Sequence, residues 1–150
     1  MRRLPGWIVA ICCFLFLMAG NCAVYAAEPV TLLASGDTQG HVSPCGSCPS
    51  TIGLGGLARR ATLVEQVRAE GPTLLVDAGN ALFGAESLAT AGRIIAVGYD
   101  AMRYDAMNIG YRDFRLGKQA TLDALKASQV PVVSANLFHA GEDRRLFEPY

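Results

Sequence analysis

Three short polar segments carry side chains suited to binding a metal ion or a phosphate group. They read Gly36-Asp37-Thr38-Gln39-Gly40-His41, Asp77-Ala78-Gly79-Asn80 and Asn108-Ile109-Gly110-Tyr111-Arg112-Asp113. Each follows an apolar run that is typical of a buried strand. In open α/β sheets, ligands bind beside the carboxyl ends of neighbouring strands, because the loops that leave those strands meet there. The pattern therefore predicts that the three segments converge on one site.

Alternating strand and helix patterns should position these segments. Apolar runs predict strands over residues 30–35, 73–76, 106–109 and 130–134. Apolar spacing predicts helices over residues 57–70, 86–102 and 121–129. Strands that alternate with helices of about 10–15 residues indicate βαβ units. We therefore predict an α/β fold with a largely parallel β-sheet and flanking helices.

Residues 1–26 are predicted to be a signal peptide. Arg2 and Arg3 form a basic start, and a nearly unbroken apolar stretch covers Trp7–Ala19. Small or slender residues then precede a cleavage point after Ala26. The alternative is a retained membrane anchor, since no charge appears from Leu4 to Ala27 and about 20 apolar residues can span a bilayer. Pro5, Gly6, Gly20 and Asn21 interrupt that longer uncharged segment. We expect export to the periplasm or the extracellular space, with no membrane contact after cleavage.

The rest of the chain, residues 27–150, is enough for one modest domain. We expect this domain to continue beyond residue 150. The whole chain has 13 basic and 13 acidic side chains. Removing Arg2 and Arg3 leaves eleven basic and thirteen acidic side chains, a net charge near −2. This balance argues against nucleic acid as a partner.

Two cysteines, Cys45 and Cys48, remain after the leader is removed. In an oxidising compartment such a close pair can form a structural disulfide. A metal half-site with His41 is a second interpretation. A thiol–disulfide redox role is a third. The residues alone leave these three alternatives open.

Taken in order, the three polar segments resemble the metal-binding motifs of the calcineurin-like metallophosphoesterases, specifically the secreted 5'-nucleotidase branch. The family has Asp-x-His after the first strand, Gly-Asp after the second and Gly-Asn-His-Glu after the third, with further histidines much later. The resemblance covers nearly all of residues 27–150. It implies the N-terminal half of a metallophosphoesterase-type α/β sandwich. It also implies an exported phosphoester hydrolase that uses divalent metal ions and acts on a nucleotide or a related small phosphoester.

Carried over residue by residue, the resemblance places metal ligands at Asp37, Gln39, Asn80 and Tyr111, and catalytic groups at Arg112 and Asp113. Gln39 stands where the family has a histidine, and Asn80 where it has a bridging aspartate. An asparagine has one good donor oxygen and no charge, so it bridges two dications poorly. Arg112 replaces a histidine; it can hold a phosphate in a bidentate manner but cannot donate a proton near neutral pH. We therefore expect one metal ion or none.

Three functions follow from these residues. The first is a metal-dependent phosphoester hydrolase, and the second is a non-catalytic binding or scaffold protein on the same fold. The third is a redox or metal-handling module built on Cys45 and Cys48. The chain contains two histidines, His41 and His139, so the later histidine ligands of the family do not lie within these residues. We expect the 150-residue chain by itself to be inactive as a phosphatase.

Overall fold

A computed structural model describes residues 5–7, 11, 27–46 and 54–149. Its strands are β1 (Thr31–Ser35), β2 (Thr73–Asp77), β3 (Ala106–Asn108) and β4 (Val132–Val133). Its helices are α1 (Leu57–Glu70), α2 (Arg93–Ala101) and α3 (Lys118–Leu125), and 3-10 turns cover Leu88–Thr90 and Tyr111–Phe114. The strands pair in parallel in the order β1-β2-β3-β4. The predicted α/β fold with a parallel sheet and flanking helices is confirmed.

Most of the predicted signal peptide, residues 1–26, lies outside the described residues, and so does Cys48. Within the described ranges, no helix has the length and apolar character needed to cross a membrane.

One face of the sheet packs against the helices and forms the core. In β2, Leu75 is 2% exposed, and Met107, on the same face of β3, is 1% exposed. The fully buried side chains on this side include Tyr99 and Ile95 of α2 and Leu82 of the preceding loop. Burial of these large side chains fixes the helices on the sheet, since each contributes about 1.5–3 kcal/mol of hydrophobic free energy.

The opposite face of the sheet is apolar and exposed. Leu32 of β1 and Leu74 of β2 are register partners, and they are 62% and 44% exposed. Right-handed crossovers between strands in sequential order place successive helices on the same side of a sheet. The described residues therefore form a sheet with one layer of helices, although parallel sheets are normally covered on both faces.

Two predicted helices differ from those observed. The helix predicted over 86–102 is divided into a 3-10 turn and α2, because Ala91 and Gly92 adopt φ of 47° and 78°. A Cβ on Gly92 would lie 2.8 Å from the ring of Phe83, so the chain turns there in close contact with the core. The helix predicted over 121–129 instead begins at Lys118 and ends at Leu125.

Two predicted strands are shorter than expected. β3 ends at Asn108 and β4 covers only Val132–Val133. Pro131 precedes β4 and has no backbone N–H to offer the sheet. Its carbonyl nevertheless accepts a hydrogen bond from Met107 N at 2.9 Å, which keeps the strands in register.

Candidate functional site

The three polar segments lie side by side at the carboxyl edge of β1, β2 and β3. Backbone hydrogen bonds join the first two: Asp37 N donates to Gly79 O and Gln39 N donates to Asn80 O, each at 2.8 Å. The third is joined to the second by Arg112 N, which donates to Asn80 Oδ1 at 3.0 Å. The structure therefore brings together all three loops that the sequence suggests.

The carboxylate of Asp113 connects the loops after β2 and β3 by hydrogen bonds to their backbones. Its carboxylate accepts hydrogen bonds from Asn80 N at 2.7 Å, Gly110 N at 2.9 Å and Leu82 N at 2.8 Å. The residue is 0% exposed. Burial raises the pKa of the Asp113 carboxyl, and the three backbone N–H groups oppose that rise.

A catalytic role for Asp113 stays a prediction, and the geometry shows a structural role for its carboxylate. A buried carboxylate whose two oxygens both accept backbone N–H groups has no free surface to offer a ligand. Asp113 instead fixes the loops after β2 and β3 relative to each other.

The loop backbones have an uncommon conformation at the predicted ligands. Asp37, Gln39 and Asn80 have φ of 53°, 49° and 59°. Left-handed backbone at a residue other than glycine costs on the order of 1–3 kcal/mol, and such residues cluster at functional sites. Gly110 is required here as well, because a Cβ on it would lie 2.1 Å from Asn80 Oδ1.

A chain of side-chain contacts runs across the top of the site. Gln39 Nε2 donates to Asp37 Oδ2 at 2.7 Å, and Arg112 Nη1 donates to Gln39 Oε1 at 3.2 Å. Arg112 Nε also donates to the hydroxyl of Tyr111 at 2.9 Å. Four of the predicted site residues thus form one connected surface group, in which Arg112 is the single cation.

A buried polar cluster supports the first loop from beneath. Asp77 Oδ2 accepts hydrogen bonds from Ser35 Oγ at 2.6 Å and from Tyr99 OH at 2.8 Å. Burial, and then the charge of Asp77, raise the pKa of Tyr99 well above its ordinary value, so its hydroxyl stays protonated and can donate. Asp77 is 3% exposed and is therefore part of this support, not of the ligand-facing surface.

Arg60 of α1 links this cluster to the loop. It donates to Thr38 Oγ1 at 3.0 Å and to Tyr99 OH at 2.9 Å. Thr38 lies between the two left-handed residues Asp37 and Gln39, so its anchoring restrains both. Sequence reasoning missed Arg60, although a signal existed: the residue falls among Leu57, Ala61 and Val64 on the apolar face of α1.

The comparisons with known proteins agree with this geometry. The chain is 34% identical over 115 residues to the snake venom 5'-nucleotidase of Crotalus adamanteus, covering 72% of this chain and 20% of that relative. The crystal structure of a 5'-nucleotidase precursor from Thermus thermophilus matches with a TM-score of 0.65 and 34% identity, over 81% of this chain and 25% of that one. The calcineurin-like phosphoesterase YfkN from Bacillus subtilis matches with a TM-score of 0.56 and 27% identity, over 77% of this chain and 40% of that one. No family model matches the chain.

The chain belongs to the 5'-nucleotidase branch of the calcineurin-like phosphoesterases. The resemblance drawn from the motifs is thereby confirmed. The chain spans about a fifth of the length of the venom relative, so the match concerns the N-terminal part of these proteins.

This family generally depends on divalent metal ions, but the donor atoms present here do not fit a two-metal centre. Within residues 27–46 and 54–149, no group of three or more His, Cys, Asp or Glu side chains is placed to hold a metal ion. Asp37 is the one anionic side chain among the predicted ligands, and the oxygens of Gln39 and Asn80 are engaged by Arg112. Tyr111 is 75% exposed and its hydroxyl accepts from Arg112.

The two histidines lie outside this contact chain. His41 Nδ1 is 3.5 Å from Glu86 Oε1, and it lines a cavity of about 420 Å³ together with Cys45. His139 contacts Arg144 in the turn after β4. A disulfide or thiolate site at Cys45 and Cys48 stays a prediction, since Cys48 falls outside the described ranges.

We predict that Asp113→Asn lowers the free energy of unfolding by about 1–3 kcal/mol, because it leaves at least one buried backbone N–H without an acceptor. Urea denaturation followed by circular dichroism measures this change. Asp143→Asn is the matched control, since Asp143 is exposed in the turn after β4. Equal stabilities of the two variants would show that the Asp113 contacts do not hold the loops.

The loop after β1 provides a pH-dependent prediction. Backbone N–H groups of Ser43 and Val42 donate to Glu86 and lower its pKa to about 2. A depressed folded-state pKa means that this contact stabilises the fold above the unfolded value of 4.5, and that the stabilisation is lost as the pH falls towards about 2. An NMR titration of the Glu86 side-chain carboxyl carbon should show a midpoint near 2. A midpoint at 4.5 would mean that Glu86 does not hold the loop.

Proposed function

We propose that the protein is an exported member of the 5'-nucleotidase family that binds the phosphate group of a nucleotide, or of a related small phosphoester, at the carboxyl edge of β1–β3. The observation that supports this most is the position of Arg112. Its backbone and side chain contact the loops of both other strands, and its guanidinium faces the surface.

The guanidinium of Arg112 keeps donors available for a ligand. Nε and one N–H of Nη1 are engaged by Tyr111 and Gln39. Among the described residues, nothing engages Nη2 or the second N–H of Nη1, and these donors form the fork that can bind two phosphate oxygens at once. A neighbouring cavity of about 350 Å³, lined by Tyr111, Arg112 and Arg115, has room for the phosphate and part of the group attached to it.

Hydrolysis by the 150-residue chain is not what these residues favour. The family reaction with two metal ions needs anionic ligands that clamp the attacking and leaving oxygens. Here Gln39 and Asn80 are neutral, and Tyr111 and Arg112 replace further metal-binding or proton-donating groups. Changes around a metal site typically cost about 10–100-fold even when they lie one shell further out. We therefore propose phosphoester binding as the property of the described site.

Export and domain extent belong to the same proposal. The relatives include a venom enzyme and a protein described as a precursor, which supports a secreted protein with a cleaved leader over residues 1–26. The exposed apolar face around Leu32 and Leu74 supports the proposal that residues 27–150 are the first part of a larger domain. A second layer on that face would bury both side chains.

We predict that the purified chain binds adenosine 5'-monophosphate but not adenosine, because the phosphate supplies the contact with Arg112. Isothermal titration calorimetry with the two compounds measures this difference directly. Release of inorganic phosphate should stay at background with manganese, zinc, magnesium or calcium. Equal binding of adenosine and its monophosphate would refute the phosphate site, and turnover lost in Asp37→Asn would show that a catalytic metal centre is present.

A further inference from the structure

Arg112 contacts two of the side chains that the resemblance predicts as metal ligands. Its guanidinium is held by Gln39 Oε1 at 3.2 Å, and its backbone N–H by Asn80 Oδ1 at 3.0 Å. These are the two amide oxygens that the family motifs would direct towards metal ions. The third predicted donor, Asp37, accepts Gln39 Nε2 at 2.7 Å and so stabilises the amide that holds Arg112.

We propose that Arg112 is an internal cation that replaces the divalent metal ions of the site, so that phosphoester binding by this chain is independent of divalent metal. This inference rests on the proposed function and specifies how the phosphate is held. The ligand class is a phosphate monoester dianion, for which a guanidinium fork supplies both charge and matched hydrogen-bond donors.

Charge and geometry both favour the arginine over a dication. A dication bound to Gln39 Oε1 would lie within a few ångströms of the guanidinium, whose Nη1 is 3.2 Å from that oxygen, and like charges at that distance repel strongly away from bulk water. It would also compete with the hydrogen bonds that Gln39 Oε1 and Asn80 Oδ1 already accept from Arg112. Arg112 is further fixed by its own neighbour, since its guanidinium carbon lies 5.4 Å from the centre of the Tyr111 ring.

Removing the charge of Asp37 distinguishes phosphate binding through a metal ion from phosphate binding through Arg112. In a metal-mediated site, its carboxylate would be the remaining anionic ligand, and removing its charge would weaken phosphate binding. In the arginine site, Asp37 touches no metal and is a like charge near the phosphate. Removing that charge should leave phosphate binding unchanged or make it tighter. Asparagine at position 37 keeps an oxygen for Gln39 Nε2 and tolerates the left-handed backbone with φ of 53°.

The experiment is calorimetric titration of the full chain with adenosine 5'-monophosphate, in EDTA and in manganese. The variants are Arg112→Met, Arg112→Lys, Asp37→Asn and the control Arg103→Met, which lies in the turn before β3, at the opposite edge of the sheet. Circular dichroism confirms that each variant is folded. Because the EDTA comparison uses the wild-type chain, it does not depend on the folding of any variant.

We expect the wild-type dissociation constant to agree within about twofold between EDTA and manganese. Arg112→Met should weaken binding by at least about tenfold, Arg112→Lys by less, and Arg103→Met should leave it unchanged. Asp37→Asn should bind at least as tightly as wild type.

Two results would overturn the internal cation. One is binding to the wild-type chain that EDTA removes and manganese restores; the other is a loss of at least about tenfold in Asp37→Asn. In both cases phosphoester binding itself would stand. Absence of binding to the wild-type chain in every condition would instead refute the proposed function, and the inference with it.

Discussion

The carboxylate of Asp113 accepts backbone N–H groups from the loops after β2 and β3, and the geometry of the site depends on this contact. It holds Asn80 opposite Gly110, whose missing Cβ lets the two loops approach. The position of Asn80 in turn sets two neighbours: Gln39 N donates to its carbonyl, and Arg112 N donates to its side chain. A buried anion thus organises a surface that presents a cation.

Buried polar contacts beneath the loop after β1 hold its unfavourable backbone conformation in place. Left-handed backbone at Asp37 and Gln39 is unfavourable in isolation. Thr38, between them, is held by Arg60 and Tyr99, and both of those rest on the buried polar cluster around Asp77. A site held this firmly keeps its shape before a ligand arrives, and preorganisation of this kind reduces the free-energy cost of binding.

The sequence predicted the fold class and the convergence of the loops because both depend on periodicity and on parallel-strand topology. It predicted α1 with the bounds that are observed, since Leu57, Ala61 and Val64 form one apolar face and Gly71 follows the helix. It failed where tertiary contacts override local pattern: Gly92 breaks the second helix because it lies against Phe83. The burial of Asp113 was likewise not predictable, because a motif position does not reveal the exposure of a side chain. Arg60 holds the loop after β1 through partners from distant parts of the chain, so no local sequence pattern predicts these contacts.

We propose that Arg112, whose guanidinium donates to the amide oxygen of Gln39, binds phosphate at this edge of the sheet in place of a pair of metal ions. Anomalous diffraction from crystals of the chain grown with manganese and adenosine 5'-monophosphate tests it most directly. We expect a phosphate contacting Nη1 and Nη2 of Arg112, with no manganese peak between Asp37 and Asn80. Manganese bound to those two side chains, with Arg112 turned away from Gln39, would contradict it.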